Sequence, residues 1–130
     1  AKDPFDQSSS IEEKDDFGDV VTEVDHLAED VILKELSRVF PDYRIHSEEA
    51  GDNGLESDWL WMIDPLDGTN NFAIGFPIFS VSITLLYKRE PVLGVIYEPM
   101  VNRLFISRLN GGFICNNKMI KIKKNEKNEI

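Results

Sequence analysis

The second half of the chain is a succession of β-branched and aromatic runs separated by very short connections, and this constrains the fold more than any other feature. IFSVSITLLYK (78–88), PVLGVIYEP (91–99), RLFISRL (103–109) and GGFICN (111–116) each have strand length and strand composition. The links around KRE, PMVN and NGG are short enough for hairpins. Runs of this kind, joined this way, predict an antiparallel meander.

Ahead of the meander the pattern is different. Val24, Ala28, Val31, Ile32, Leu36, Val39 and Phe40 recur at steps of three and four, which predicts a helix from about Thr22 to Phe40 with these residues on its buried face. Pro41 ends it. Arg44 to Ser47 reads as a short strand, Asp52 to Asp58 as a polar loop and Leu60 to Ile63 as another short strand. Residues 1–18 are polar, serine-rich and aperiodic, and read as a loop or mobile arm. Residues 123–130 read as a polar tail, which leaves 19–122 as one domain. The expected fold class is α+β, with one long helix packed on a largely antiparallel sheet.

Charge narrows the chemistry. Residues 1–70 hold 5 Lys/Arg against 20 Asp/Glu (−15) and residues 71–130 hold 9 against 4 (+5), which together make the net charge of −10. The acidic half would repel a bare anion, nucleic acid included, unless cations intervened. An ordinary solvated acidic face would give the same totals. No apolar run is long enough to span a bilayer and no leader pattern opens the sequence, so a soluble, non-exported protein is expected, with neither nucleic-acid nor membrane partners. Cys115 is the only cysteine, which excludes an internal disulfide and a thiol-rich metal site and suits a reducing cytoplasm.

Against this background stands WMIDPLDGTNNF (61–72). Asp64 follows a buried strand, Pro65 fixes the backbone after it, and Asp67 can turn back toward the same place. Asp-Pro and Asp-Gly are ordinary turn formers, so a purely structural reading exists. Yet two carboxylates held close together must share a proton or bind a cation, and hard oxygen ligands suit Mg²⁺ or Ca²⁺. An EF-hand fits poorly: the position eleven after Asp64, where it needs Glu, is Gly75. Gly68-Thr69 adds a backbone that a ligand can approach, followed by a turn or short helix whose free N–H groups suit an anion such as phosphate. Glu48-Glu49 could join this chemistry or be a solvated pair. Thr22-x-x-Asp25 reads equally as a helix capping box or as part of a site. His26 and His46 have no partner at metal-ligand spacing and read as surface or satisfied residues.

Together these segments resemble the inositol monophosphatase family of Mg²⁺-dependent, lithium-sensitive phosphatases. WMIDPLDGTNNFAIGFP fills every position of its W-x-x-D-P-[IL]-D-G-T-x-N-F signature, and the likeness extends to GDVVTEVD (18–25), HSEEAG (46–51) and GGFICNNKMI (111–120). The resemblance implies that Glu48, Asp64, Asp67 and the Leu66 carbonyl bind magnesium, with Asp64 bridging two ions. It implies that Asp25 and Thr69 orient the attacking water, with Glu48 also counted among the catalytic groups. The amides of Gly68 and Thr69 would hold the phosphate, and Lys14 would correspond to a lysine on a mobile loop beside the site. The implied substrate is a small phosphorylated metabolite, inositol monophosphate first. Relatives that act on fructose 1,6-bisphosphate or 3′-phosphoadenosine phosphates share this half, and the complete enzyme would be a cytoplasmic homodimer.

The chain departs from the family in two respects. Members are roughly twice this length, and their second half adds a metal-binding Asp in a W-D motif. Here Trp59 and Trp61 are the only tryptophans and neither precedes an Asp. The family's long first helix is also unrecognisable in residues 1–18. The expectation is therefore the first half of the layered α/β sandwich of the inositol monophosphatase and fructose-1,6-bisphosphatase superfamily. By itself it would be inactive, and a noncatalytic metal-binding fragment is the alternative.

Overall fold

A computed structural model describes residues 14–121, with side chains from Glu23 onward. Helix α1 (Lys14–Val39) is followed by β1 (Arg44–Ser47), β2 (Gly51–Asp52), β3 (Trp59–Asp67), the one-turn helix α2 (Thr69–Ala73) and β4 (Ser80–Tyr87). The chain continues through β5 (Glu90–Glu98), β6 (Arg103–Arg108), β7 (Gly112–Cys115) and β8 (Lys118–Ile120). The strands form one sheet in the order β2-β1-β3-β4-β5-β6-β7-β8. Pairing from β3 through β8 is antiparallel, as the short connections require, whereas β1 runs parallel to β3. The loop that carries Glu48 lies between these two parallel strands in sequence, and the amide of Glu48 donates to the carbonyl of Ile63 at 3.1 Å.

The main core lies between α1 and the centre of the sheet. Ile45, Trp61 and Ile63 are buried there against Ile32, Leu33, Leu36 and Phe40 of the helix end and Ile83, Leu85 and Leu93 of the next strands. Aromatic rings close one end of this interface: Phe40 lies 4.9 Å from Tyr43, Tyr43 stacks on Trp59 at 5.4 Å, and Trp59 meets Tyr87 at 4.4 Å. A smaller cluster joins Leu66 and Phe72 to Val24, Ala73 and Phe79, so α1 touches both the sheet and α2. No helix among the described residues is long and apolar enough to cross a membrane.

Several expectations are corrected. The helix starts at Lys14, so residues 14–18 are helical and not an arm; residues 1–13 lie outside the described residues, as does the tail from 122. Local composition gave no such signal, but extending a helix that packing already holds costs far less than nucleating one, and no proline interrupts this stretch. Val31 and Val39 are exposed (69% and 48%), and Leu33 takes a place in the core. A helix lying across a sheet buries a narrower stripe than its apolar residues alone define. Asp52, assigned to a loop, pairs in β2.

The correction that matters most for function is in β3, which does not end at Ile63. It runs on to Asp67, and its register with β4 shifts after Asp64: Asp64 faces Ser82 and Asp67 faces Ser80. Three steps on β3 oppose two on β4, which is a bulge of one residue. Pro65, which has no amide to donate, occupies the bulge, where a missing ladder bond is tolerated.

Immediately beyond, Gly68 has φ +91° and opens α2. A Cβ at this position would lie 2.9 Å from the Ile78 carbonyl oxygen and 3.2 Å from Phe79 Cα, both backbone atoms. Gly68→Ala should therefore cost about 2 kcal/mol or more, from the left-handed conformation and the displaced backbone together. Thermal or urea unfolding of the variant checks this, and an unchanged midpoint would contradict the geometry around Gly68.

Candidate functional site

The bulge decides which way the two aspartates face. In a regular strand, residues three apart lie on opposite faces of the sheet; one inserted residue restores them to the same side. Asp64 accordingly feels the charge of Asp67. Its carboxyl is pushed up to about 6, chiefly by burial, then by a hydrogen bond and charge repulsion from Glu48 and by the charge of Asp67, against a favourable bond from the Leu66 amide. Glu48 and Asp64 line the same cleft, and two carboxyls brought close together need a shared proton or a bound cation.

Asp25 comes from α1. It is not a capping residue, because the helix has already run about three turns when it reaches Asp25. Instead its neighbour Val24 packs on the Leu66 cluster, and Asp25 itself is buried (7% exposed). Its carboxyl is also raised to about 6, first by burial and then by the charges of Glu49, Asp64 and Glu29, with His26 opposing. Glu48 and Asp67 thus act on Asp64, and Glu49, Asp64 and Glu29 act on Asp25.

The remaining predicted residues fall into place unevenly. Thr69 donates its hydroxyl to the Leu66 carbonyl at 3.1 Å, which brings two of them together directly. Gly68 starts α2 without a side-chain cap, and the loop after that helix is tied by Asn71 Nδ2 donating to the Ile78 carbonyl at 2.9 Å. Lys14 stands at the first residue of α1, not on a loop, and its side chain lies outside the described residues. Two clefts border the acids. One, of about 490 Å³, is lined by Glu48 and Asp64 with His46, Met62, Ser82 and Thr84; the other, of about 390 Å³, by Asp67 and Gly68 with Asn71, Ser80, Glu98 and Arg103. In the second cleft, Arg103 is held by Glu98 at 2.7 Å.

The donor set suits a hard cation, since every candidate ligand is an oxygen and the carboxyls already repel one another. Among the described residues, however, no three His, Cys, Asp or Glu side chains are arranged as a finished metal cage. Glu48 and Asp64 share one cleft while Asp67 lines the other. Enclosing an ion would require the Asp67 carboxylate to swing toward that pair.

Glu29 was missed by the sequence reading. It is 3% exposed and accepts hydrogen bonds from Ser47 Oγ and the Ala50 amide. The available signal was its position four residues after Asp25, which puts both acids on the same face as Val24, Ala28 and Ile32.

Comparison with known proteins agrees with the fold. A sequence model described as the inositol monophosphatase family matches residues 1–130. A protein of Aquifex aeolicus named fructose-1,6-bisphosphatase/inositol-1-monophosphatase is 41% identical over 120 residues, covering 92% of this chain and 45% of the relative. A Xylella fastidiosa protein named Nus factor SuhB is 44% identical over 104 residues, covering 80% of this chain and 38% of the relative. The structure of inositol monophosphatase from Anabaena superposes with a TM-score of 0.76 at 39% identity, over 83% of this chain and 44% of that one. The chain spans less than half the length of these relatives, and over that span it belongs to the inositol monophosphatase family.

Proposed function

We propose that this chain carries the metal-binding half of a Mg²⁺-dependent hydrolase of small phosphate monoesters, with inositol monophosphate as the first substrate. The observation that carries the reading is the gathering of acids at the end of β3, where Glu48 and Asp64 line one cleft and the bulge brings Asp67 to the same side. Glu48, Asp64, Asp67 and the Leu66 carbonyl would hold the magnesium. When bound, the metal supplies charge neutralisation for the phosphoryl oxygens and lowers the pKa of the attacking water.

The chain's own residues do the rest. Asp25, buried on α1, and Thr69, whose hydroxyl donates to the Leu66 carbonyl, would orient a water by accepting its hydrogen bonds. Gly68 lets the backbone approach a phosphate closely, and its amide and that of Thr69 would hold the phosphoryl oxygens. Lys14 would be the cationic contact. The complete enzyme would act as a homodimer in the cytoplasm and be lithium-sensitive. The name of the Aquifex aeolicus relative adds fructose 1,6-bisphosphate to the substrates to be assayed. A second reading is a noncatalytic metal-binding module that keeps the acids without turnover, since the chain spans less than half the length of its relatives.

Residues 1–130 alone should bind Mg²⁺ weakly and release no measurable phosphate from inositol monophosphate. Adding the carboxy-terminal part of a relative, in cis or as a separate chain, should produce Mg²⁺-dependent turnover. Robust hydrolysis by the 130 residues alone would refute the half-site assignment, and no turnover after complementation would favour the noncatalytic reading.

In the complemented enzyme, Asp64→Asn should reduce turnover by about 100-fold or more while the melting temperature holds, because it removes a ligand charge and no core contact. Retention of most turnover would remove Asp64 from the metal site. Glu48→Gln should raise the Mg²⁺ concentration for half-maximal rate by roughly tenfold or more, and Glu49→Gln by no more than about threefold, as expected of a ligand and an exposed acid. Equal effects would undo the assignment of Glu48. Thr69→Ala should lower kcat more than it raises KM, and a pure KM effect would move Thr69 to substrate binding.

A further inference from the structure

We infer that Glu29 is a positioning residue that anchors the loop bearing Glu48 and Glu49 to α1 and so holds Glu48 against Asp64. The inference rests on the metal-site reading above but concerns a residue outside its ligand set.

Glu29 and Ser47 are buried to 3% and 0% exposure. Ser47 Oγ and the Ala50 amide both donate to the same Glu29 oxygen, Oε2, at 2.5 Å and 3.0 Å. These two donors bracket Glu48 and Glu49 in the sequence. On the other side, the Glu48 amide donates to the Ile63 carbonyl, one residue before Asp64. The short acidic segment is thus tethered twice, to β3 through the backbone of Glu48 and to α1 through Glu29. Just after it, Gly51 at φ +79° reverses the chain into β2.

This tether matters because the acids it places repel each other. Left to itself, the loop would relieve the repulsion between Glu48 and Asp64 by swinging outward into solvent, since Glu48, Glu49 and Ala50 are all exposed. Two hydrogen bonds onto a buried carboxyl oxygen oppose that motion, and both would be lost together if Glu29 were truncated. Glu29 also lies one helical turn beyond Asp25 and adds to the negative field there. Its tethering role and its charge must therefore be separated, and Gln does this: its amide oxygen can accept both bonds without the charge.

The test uses the 130-residue chain and three variants, Glu29→Ala, Glu29→Gln and Ser47→Ala, each read by amide exchange at Ala50 and by an NMR titration with Mg²⁺. Glu29→Ala should speed Ala50 exchange by about tenfold or more, a local opening that spares the β3–β4 amides. It should also weaken Mg²⁺ binding by about 10- to 100-fold, the usual cost of losing a residue that orients a ligand. Glu29→Gln should stay within about threefold of the parent in both readouts and Ser47→Ala should fall between them, because they keep two bonds and one bond respectively. If Glu29→Ala leaves Mg²⁺ affinity unchanged, or if Glu29→Gln is as damaged as Glu29→Ala, the positioning role is wrong. Should Glu29→Ala lose its sheet amides as well, Ser47→Ala decides: unchanged exchange and affinity there also overturn it. If the parent chain binds no Mg²⁺, the metal-site reading fails. The tether is then judged by whether Glu29→Ala, and not Glu29→Gln, frees the Ala50 amide.

Discussion

The single-residue bulge in β3 is the constraint on which the site depends. Without it, Asp64 and Asp67 would lie on opposite faces of the sheet; with it, they lie on the same side, and Gly68 follows at the one conformation that can turn into α2 beneath the Ile78 carbonyl. Pro65 fits because a bulged position needs no amide donor. The sequence order Asp-Pro-Leu-Asp-Gly-Thr is therefore an account of backbone geometry, with each residue type required by the step it occupies. Leu66 serves twice: its side chain is buried with Phe72, and its carbonyl accepts from Thr69.

A site of mutually repelling acids needs a rigid frame. α1 provides it by packing at two places, on Ile45, Trp61 and Ile63 toward its end and on Leu66 and Phe72 near Val24. Burial raises the Asp25 and Asp64 carboxyls to about 6, so hydrophobic packing opposes ionisation in just the region where the acids converge. A cation that neutralised them would remove that conflict, so packing and metal affinity would be coupled.

How much of this was legible in the sequence depended on the range of the interactions involved. The hairpins of the meander could be read because short links leave adjacent strands only one way to pair, β1 was read from local composition, and α2 was left open between a turn and a short helix. The start of α1 at Lys14 could not, because propagation from a packed segment leaves no mark on the residues it recruits. Val31 looked like a core residue by spacing alone, yet the sheet covers a stripe shifted toward Leu33. Asp64 and Asp67 stood out in one motif. Asp25 remained ambiguous between cap and site until the helix boundary was known, and the helix spacing that puts Glu29 on the face of Asp25 could not name its partners, Ser47 and Ala50, which lie 18 and 21 residues away.

The central claim is that Glu48, Asp64 and Asp67 form one cation site across the bulge. Its most direct test is anomalous diffraction from crystals soaked in Mn²⁺ as a stand-in for Mg²⁺. The account predicts a peak bonded to the Asp64 carboxylate, with Glu48 and the Asp67 carboxylate swung in to complete it. Mn²⁺ bound elsewhere on the chain, with no ion between Glu48 and Asp64, would contradict it.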